Sequence, residues 1–366
     1  MKIISLFNNK GGVGKTTLAY HLSCALAEMG KKILMIDLDP QCNLTICGMD
    51  SEVLHDIWVK EDPFIDDFDA ASKKLNALEM SRLLSEPRTI HFILKPTEDG
   101  QGDMQALPPL FEIKPSLSLI PGRITINQYE TRLSERWSGA YQGVPLSIRT
   151  ISQIRNIADN YGQMNHFDFV IVDTSPSLGI LNKVIISTVD GFVIPALPDM
   201  FSLYGIRNIG KSLSQWKREF DTIYQLISDE KRKNFPEKFV RFLGYTIYNA
   251  KKYSGTTRWN LAKAHLNYAD QIPDTICQYI SEEVRQHLTE QYVHDPIGET
   301  AVMHTHNTLP NMAQKYHCPI WEVPDRELDS EDMPTIRANA AKYRAVKDSY
   351  IRFAESFLER VETLDR

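Results

Sequence analysis

Five cysteines in 366 residues, with no C-x-x-C pair among them, leave neither a disulfide framework nor a cysteine-based zinc or iron–sulfur site. Cys24, Cys42, Cys47, Cys277 and Cys318 therefore read as reduced, mostly buried thiols. No run approaches the 18 apolar residues of a membrane span, and the apolar start from Met1 to Phe7 turns polar at Asn8, too soon for a secretory signal. The expected location is the cytoplasm. Glycine (18) and proline (19) are too sparse for a fibrous or low-complexity chain, whereas 42% hydrophobic and 24% charged residues suit a globular one of one large or two ordinary domains. Charge of one sign is also missing: the net value of −6 argues, on average, against a strongly basic nucleic-acid binder.

What is present is a βαβ start. Lys2 to Phe7 reads as a short apolar strand, Asn8 to Gly14 as a Gly-rich turn, and Lys15 to Met29 as a helix with Leu18, Leu22, Ala25, Leu26 and Met29 at helical spacing and Gly30 closing it. Lys32 to Asp37 is a second strand. Its near-continuous apolar run implies burial on both faces, as in a parallel sheet sandwiched by helices. Similar strands recur at Phe167–Asp173, Gly191–Ala196 and Phe242–Tyr248, with helices expected at about Ile180–Thr188, Tyr204–Ile227 and Ala338–Leu364. The fold class is α/β: a doubly wound, mostly parallel sheet with helices on both faces and helical insertions. We expect one domain over residues 1–366, with an acidic insertion at about 50–115 and a helical elaboration at about 252–306. Within the former, Asp50 to Asp103 holds 13 acidic residues against 6 basic ones.

The segment Asn9-Lys10-Gly11-Gly12-Val13-Gly14-Lys15-Thr16-Thr17 lies between a strand and a helix start. There, glycines let backbone N–H groups turn toward a phosphate, the helix N-terminus adds positive potential, Lys15 supplies a charge and Thr16 a hydroxyl for Mg²⁺. The strict G-x-x-x-x-G-K-[ST] pattern fails at Asn9. In exchange the chain has a second lysine, Lys10.

K-G-G-x-G-K-T-T is the deviant Walker A box, and with it the chain resembles the ParA/MinD family of P-loop ATPases, closest to ParA-type partition ATPases. Asp37-Leu38-Asp39-Pro40-Gln41-Cys42-Asn43 looks like the family's first switch segment, with Cys42 where glycine is usual. Phe167 to Gly179 looks like its Walker B strand and second switch. Leu119-Ile120-Pro121-Gly122, Ile194 to Asp199, Ser202 to Gly205 and Tyr248-Asn249 fit in the same order, with a weaker echo at Pro310 to Gln314 and Cys318 to Ile320.

The resemblance implies ATP and Mg²⁺ as cofactors and slow ATP hydrolysis. Gly11, Gly12, Val13, Gly14, Lys15, Thr16 and Thr17 would cradle the nucleotide. Lys15 would bind phosphate in its own subunit, and Lys10 would reach the nucleotide of a partner across an ATP-bound homodimer. Asp39 would orient the attacking water, and Thr16, Asp39 and Asp173 would hold the Mg²⁺ shell. Asp37 reads equally as a strand-end cap or a direct participant. Asn249 could read the adenine edge or simply make a turn, and Pro198 could cover the base.

The charge map bears on partners. From Arg207 to Lys263 there are 13 basic residues against 5 acidic ones. A local positive surface of that kind suits sequence-independent DNA binding, and with it a nucleoid-associated location; the bland alternative is a set of solvated helix faces. A protein partner that stimulates hydrolysis is also implied. A membrane role is not expected, because Ile351 to Arg366 sets three arginines against four acidic residues, a poor match for anionic lipid. The metallocluster carriers of the superfamily need cysteine pairs absent here, and His294, His304, His306 and His317 lack metal-site spacing. A different class of reading is an ATP-gated regulatory or scaffold subunit controlling an effector, for example in a defence module, with the two elaborations as docking surface.

Overall fold

The structure is a computed structural model; it describes every residue except 105, 234, 251–257, 299–302, 305, 307 and 366. Among the described residues eight strands form one sheet in the order β3-β4-β2-β5-β1-β6-β7-β8. They are β1 Lys2–Leu6, β2 Ile33–Asp37, β3 Phe111–Lys114, β4 Leu117–Ile120, β5 Phe169–Asp173, β6 Gly191–Ala196, β7 Arg241–Ala250 and β8 Met303–His304. Every neighbouring pair is parallel except β3 with β4, in agreement with the doubly wound reading. Every residue of β2, β5 and β6 is buried, which is why these strands read as unbroken apolar runs.

The first half of the chain carries helices α1 Lys15–Glu28, α2 Asn43–Gly48, α3 Ser51–Asp66, α4 Phe68–Lys74, α5 Ala77–Leu83, α6 Ile90–Glu98, α7 Asn127–Tyr141 and α8 Pro145–Asn165. The second half adds α9 Ile180–Thr188, α10 Met200–Leu226, α11 Asp229–Arg232, α12 Lys263–Ala269, α13 Ile272–Tyr279, α14 Glu282–Arg285, α15 Glu290–His294, α16 Leu309–Lys315, α17 Met333–Ala338 and α18 Ala340–Glu362. One core, on the face covered by α6 to α10 and α13, contains Leu34, Val170, Phe192, Ile206, Trp216 and Ile276. The other, under α1 and α18, contains Ile4, Leu22, Met35, Ile171, Tyr350, Phe353 and Phe357. Alternate residues of β2 and β5 thus point to opposite cores, as the strand pleat requires.

Two strands differ from expectation. Neither β3 nor β8 is read from sequence, because both are short sheet edges: β3 is half-exposed and β8 has two residues. Helix α10 begins four residues before the expected Tyr204, because the Asp199 carboxylate accepts the Ser202 backbone N–H at 2.8 Å and caps the helix there. In the region between β2 and β4, α3 and α6 are tied to the sheet by buried Glu61, which accepts from Thr89 N (2.7 Å) and Thr89 Oγ1 (2.6 Å) and pairs with Arg123 (3.3 Å).

Candidate nucleotide-binding site

The register of the sheet brings the site together. Asp37 at the end of β2 lies opposite Asp173 at the end of β5, and the loop after β1 rises on the other side of β5. This is the carboxyl edge of the strands, where open α/β sheets bind ligands. Helix α1 starts there with Gly14 as its N-cap, no side-chain cap and no acidic residue in its first turn. Its free N–H groups and positive dipole end are left for an anion.

Gly12 (φ 72) and Gly14 (φ 77) take left-handed conformations in the loop. The loop is pinned by Asn8, which accepts the Lys10 N–H at 2.9 Å and donates to the Pro195 carbonyl at 2.7 Å. At the helix start the Thr16 hydroxyl donates to Asp173 Oδ2 at 2.7 Å, while the buried Asp173 Oδ1 has no hydrogen-bond partner. Burial, reinforced by the Asp37 charge, pushes the Asp173 carboxyl up to about 7. Lys15 is 7% exposed, and burial lowers its pKa against the opposing pull of Asp173 and Asp39.

Asp37 is fully buried and fully engaged. Its carboxylate accepts from Thr45 N (2.8 Å), Thr45 Oγ1 (2.7 Å) and Asp39 N (3.1 Å), and burial still pushes it up to about 6. Those bonds fold the β2–α2 loop and favour the capping reading of this residue. Asp39 accepts the Gln41 N–H at 2.9 Å and keeps an edge toward the cavity. Cys42 sits at φ 53, the left-handed region that favours glycine, which accounts for the residue type expected there.

A cavity of about 340 Å³ opens over this loop, lined by Gly11, Gly12, Gly14, Lys15, Thr16, Thr17 and Asp39 among others. It lies within the size range of small-molecule sites. Asp173 stands behind Thr16, and Val13 is buried beneath the loop. Lys10 turns away from the cavity and pairs with Asp199, with the Phe201 ring 5.5 Å from its ammonium. Pro198 and Asn249, expected near the base, do not line the cavity; Asn249 is exposed at φ 55 near the end of β7.

Sequence reasoning missed several lining residues. Gln41, Asn43 and Pro176 come from the two switch-like segments, Cys47 from α2, and His21 lies one helical turn past Thr17. Its Nδ1 meets the Thr17 carbonyl at 2.7 Å and its Nε2 accepts the Ile320 N–H at 3.1 Å, so the ring is neutral; burial lowers its pKa to about 3. Pro310, Asn311 and Gln314 arrive on α16, which packs against α2. The echo of family sequence at Pro310 to Gln314 was the one signal for them.

Residues 1–226 match the family described as an AAA domain, and one relative is the sporulation initiation inhibitor protein Soj of Bacillus subtilis. The chain belongs to the ParA/MinD family of P-loop ATPases. Soj is 26% identical over 221 residues, covering 60% of this chain and 68% of Soj. An uncharacterised protein of Methanocaldococcus jannaschii is 30% identical over 209 residues, 57% of this ParA/MinD chain and 63% of that protein. The chain spans only 46% to 63% of the length of several such curated relatives. Among solved structures, pNOB8 ParA bound to nonspecific DNA shares the fold, with a TM-score of 0.55 at 16% identity over 99% of this chain and 98% of that one.

Proposed function

We propose that this ParA/MinD-family chain is a partition-type ATP switch: it binds ATP with Mg²⁺, pairs with a second copy through the bound nucleotide, hydrolyses ATP slowly and binds DNA without sequence preference. The observation that carries the reading is the meeting of Lys15, Thr16 and Asp39 in one cavity at an uncapped helix N-terminus, with Asp173 bonded to Thr16 behind it. Phosphoryl transfer asks little more of a protein than positioning and charge neutralisation.

In this reading the N–H groups of Gly11 to Thr16 and the Lys15 ammonium hold the phosphates. The Thr16 hydroxyl and the carboxylate of Asp173, whose Oδ1 is unpartnered, would hold Mg²⁺ together with Asp39. Mg²⁺, when bound, would neutralise charge developing on the β- and γ-phosphates. Asp39, at the cavity wall, orients the attacking water, and Lys10 answers the nucleotide of the partner. The likeness to Soj and to a ParA solved on nonspecific DNA supports the partition assignment.

Variants separate these roles. Lys15→Ala should abolish ATP binding in calorimetry. Lys10→Ala should leave binding largely intact while removing the ATP-dependent dimer seen by light scattering on a hydrolysis-slow Asp39→Ala background. Equal dimer content with and without Lys10 would refute its role.

A further inference from the structure

Lys10 and Asp199 are 189 residues apart in the chain, yet the Lys10 ammonium and the Asp199 carboxylate form an ion pair beside the phosphate loop. Asp199 is doubly used. Oδ1 caps α10 through the Ser202 N–H at 2.8 Å, while Oδ2 holds the lysine. Partial burial alone would raise the Asp199 pKa, but the bonds from Lys10 and Ser202 bring it below the usual carboxylate range.

The surroundings make this pair unlike an ordinary surface bridge. Met200, Phe201 and Tyr204 in the first turns of α10 are 46%, 65% and 56% exposed, so three large apolar side chains face water on the helix that Asp199 caps, the Phe201 ring 5.5 Å from the lysine. Meanwhile the Lys10 backbone is fixed: its N–H is held by Asn8, and its carbonyl lies 3.4 Å from Lys15 Nζ. Only the side chain is free to swing.

We infer that Asp199 is a positioning residue that keeps Lys10 on its own protomer, and that association with a second copy exchanges this carboxylate for the partner's nucleotide phosphates while covering Met200, Phe201 and Tyr204. The inference rests on the ATP-dependent dimer proposed above and adds the intramolecular competitor that dimerisation must displace. The Lys10 side chain is 23% exposed and that of Asp199 is 37% exposed, so the pair is a weak hold. A polyphosphate carries more negative charge than one carboxylate and outcompetes it, while Lys10 stays neutralised when no nucleotide is offered. A carboxylate left in place would also face the partner's phosphates and repel them.

The test is Asp199→Asn, which retains a side-chain oxygen to cap α10 but removes the charge, with Asp199→Ser as a second capping variant. In the nucleotide-free monomer, trace labelling of amines followed by peptide mass spectrometry should show Lys10 reacting faster in both variants. With ATP and the Asp39→Ala background, both should reach half-dimer at about two- to thirty-fold lower protein concentration, the range set by two exposed ion pairs per dimer. Unchanged labelling of Lys10 would overturn the hold, and faster labelling with unchanged or weaker dimerisation would overturn the exchange. If Asp39→Ala binds ATP in calorimetry but stays monomeric at every concentration, the dimer reading itself fails and the exchange falls with it.

Discussion

Gly14 combines two demands that only a glycine side chain satisfies. Its φ of 77 lies in the left-handed region, and a Cβ there would run into the ring of buried Tyr248, whose hydroxyl lies 3.2 Å from that of Tyr350. Gly14→Ala therefore strains the backbone and pushes an aromatic pair out of the core, at a cost on the order of 2 kcal/mol. Chemical denaturation should show that loss together with weakened nucleotide binding. Glu61 makes a second prediction, about pH. Burial pushes its carboxyl up to about 7, against Thr89, Arg123 and Arg88, while Asp62 draws on the same Arg123. A carboxyl with a raised pKa in the folded state contributes stability that is present below its ordinary value of 4.5 and lost as pH rises toward 7. The stability of wild type relative to Glu61→Gln should thus fall by on the order of 3 kcal/mol between pH 4.5 and 7.5. A flat or rising difference in urea titrations across that range would contradict the assignment.

At the scale of elements, α10 links the site to the rest of the molecule. Its N-terminus meets Lys10 through Asp199, its middle packs on α13, and its buried face holds Ile206, Ile209, Leu213, Trp216 and Phe220. The approach of α13 depends on Gly210, where a Cβ would stand 2.6 Å from the Tyr279 carbonyl carbon. Two effects oppose each other in Gly210→Ala: helix propensity favours alanine by about 1 kcal/mol, whereas forcing two packed helices apart costs about 1–3 kcal/mol. We expect the clash to win, because the atoms met are backbone and cannot rotate away. A lower denaturation midpoint would show it, and a raised midpoint would mean propensity dominates. Helix α1 is anchored in a comparable way by His21, which stacks on Tyr350 at 5.0 Å and bonds to Ile320, so α18 and the phosphate loop share one core.

Across the whole molecule, the folded arrangement redistributes the basic run between Arg207 and Lys263. Lys217 pairs with Asp221 and Glu283, Arg232 with Asp229, and Lys233 with Glu230. Lys231 and Arg241 donate to the carbonyls of Gly143 and Leu364. Lys251 and Lys252 lie outside the described residues, as does the Arg258 side chain. Among the described residues of the run, Lys211, Arg218, Lys238 and Lys263 form no ion pair and are exposed. Arg207, Lys211 and Arg218 fall at helical spacing on one side of α10, a stripe suited to a phosphate backbone. The double charge reversal Lys211→Glu and Arg218→Glu should weaken ATP-dependent duplex binding for every sequence tested and lower the salt slope by about 2, one for each phosphate no longer neutralised. Reversal at Lys217 and Lys233, already neutralised within the chain, should do much less, and equal effects in mobility-shift assays would show that the stripe does not touch the duplex.

Much of the frame was legible locally. The strands β1, β2, β5 and β6, the phosphate loop and the aspartates at strand ends could be read because burial on both faces writes a continuous apolar run and a strand end follows where it stops. Edges escaped that logic: β3 and β8 are too short and too exposed to leave a pattern. Side-chain partners escaped it for a different reason, since a hydrogen bond or ion pair depends on chain segments that meet only after the sheet closes. Tertiary structure alone decided that Asp37 spends its lone pairs on Thr45 and Asp39, that α16 brings Asn311 and Gln314 to the cavity, and which lysines of the basic run remain unpaired. It also decided where Lys10 points. The sequence determined by itself that a second lysine stands in the phosphate loop; only the folded chain, by bringing Asp199 to it from 189 residues away, determined what that lysine holds in the single molecule.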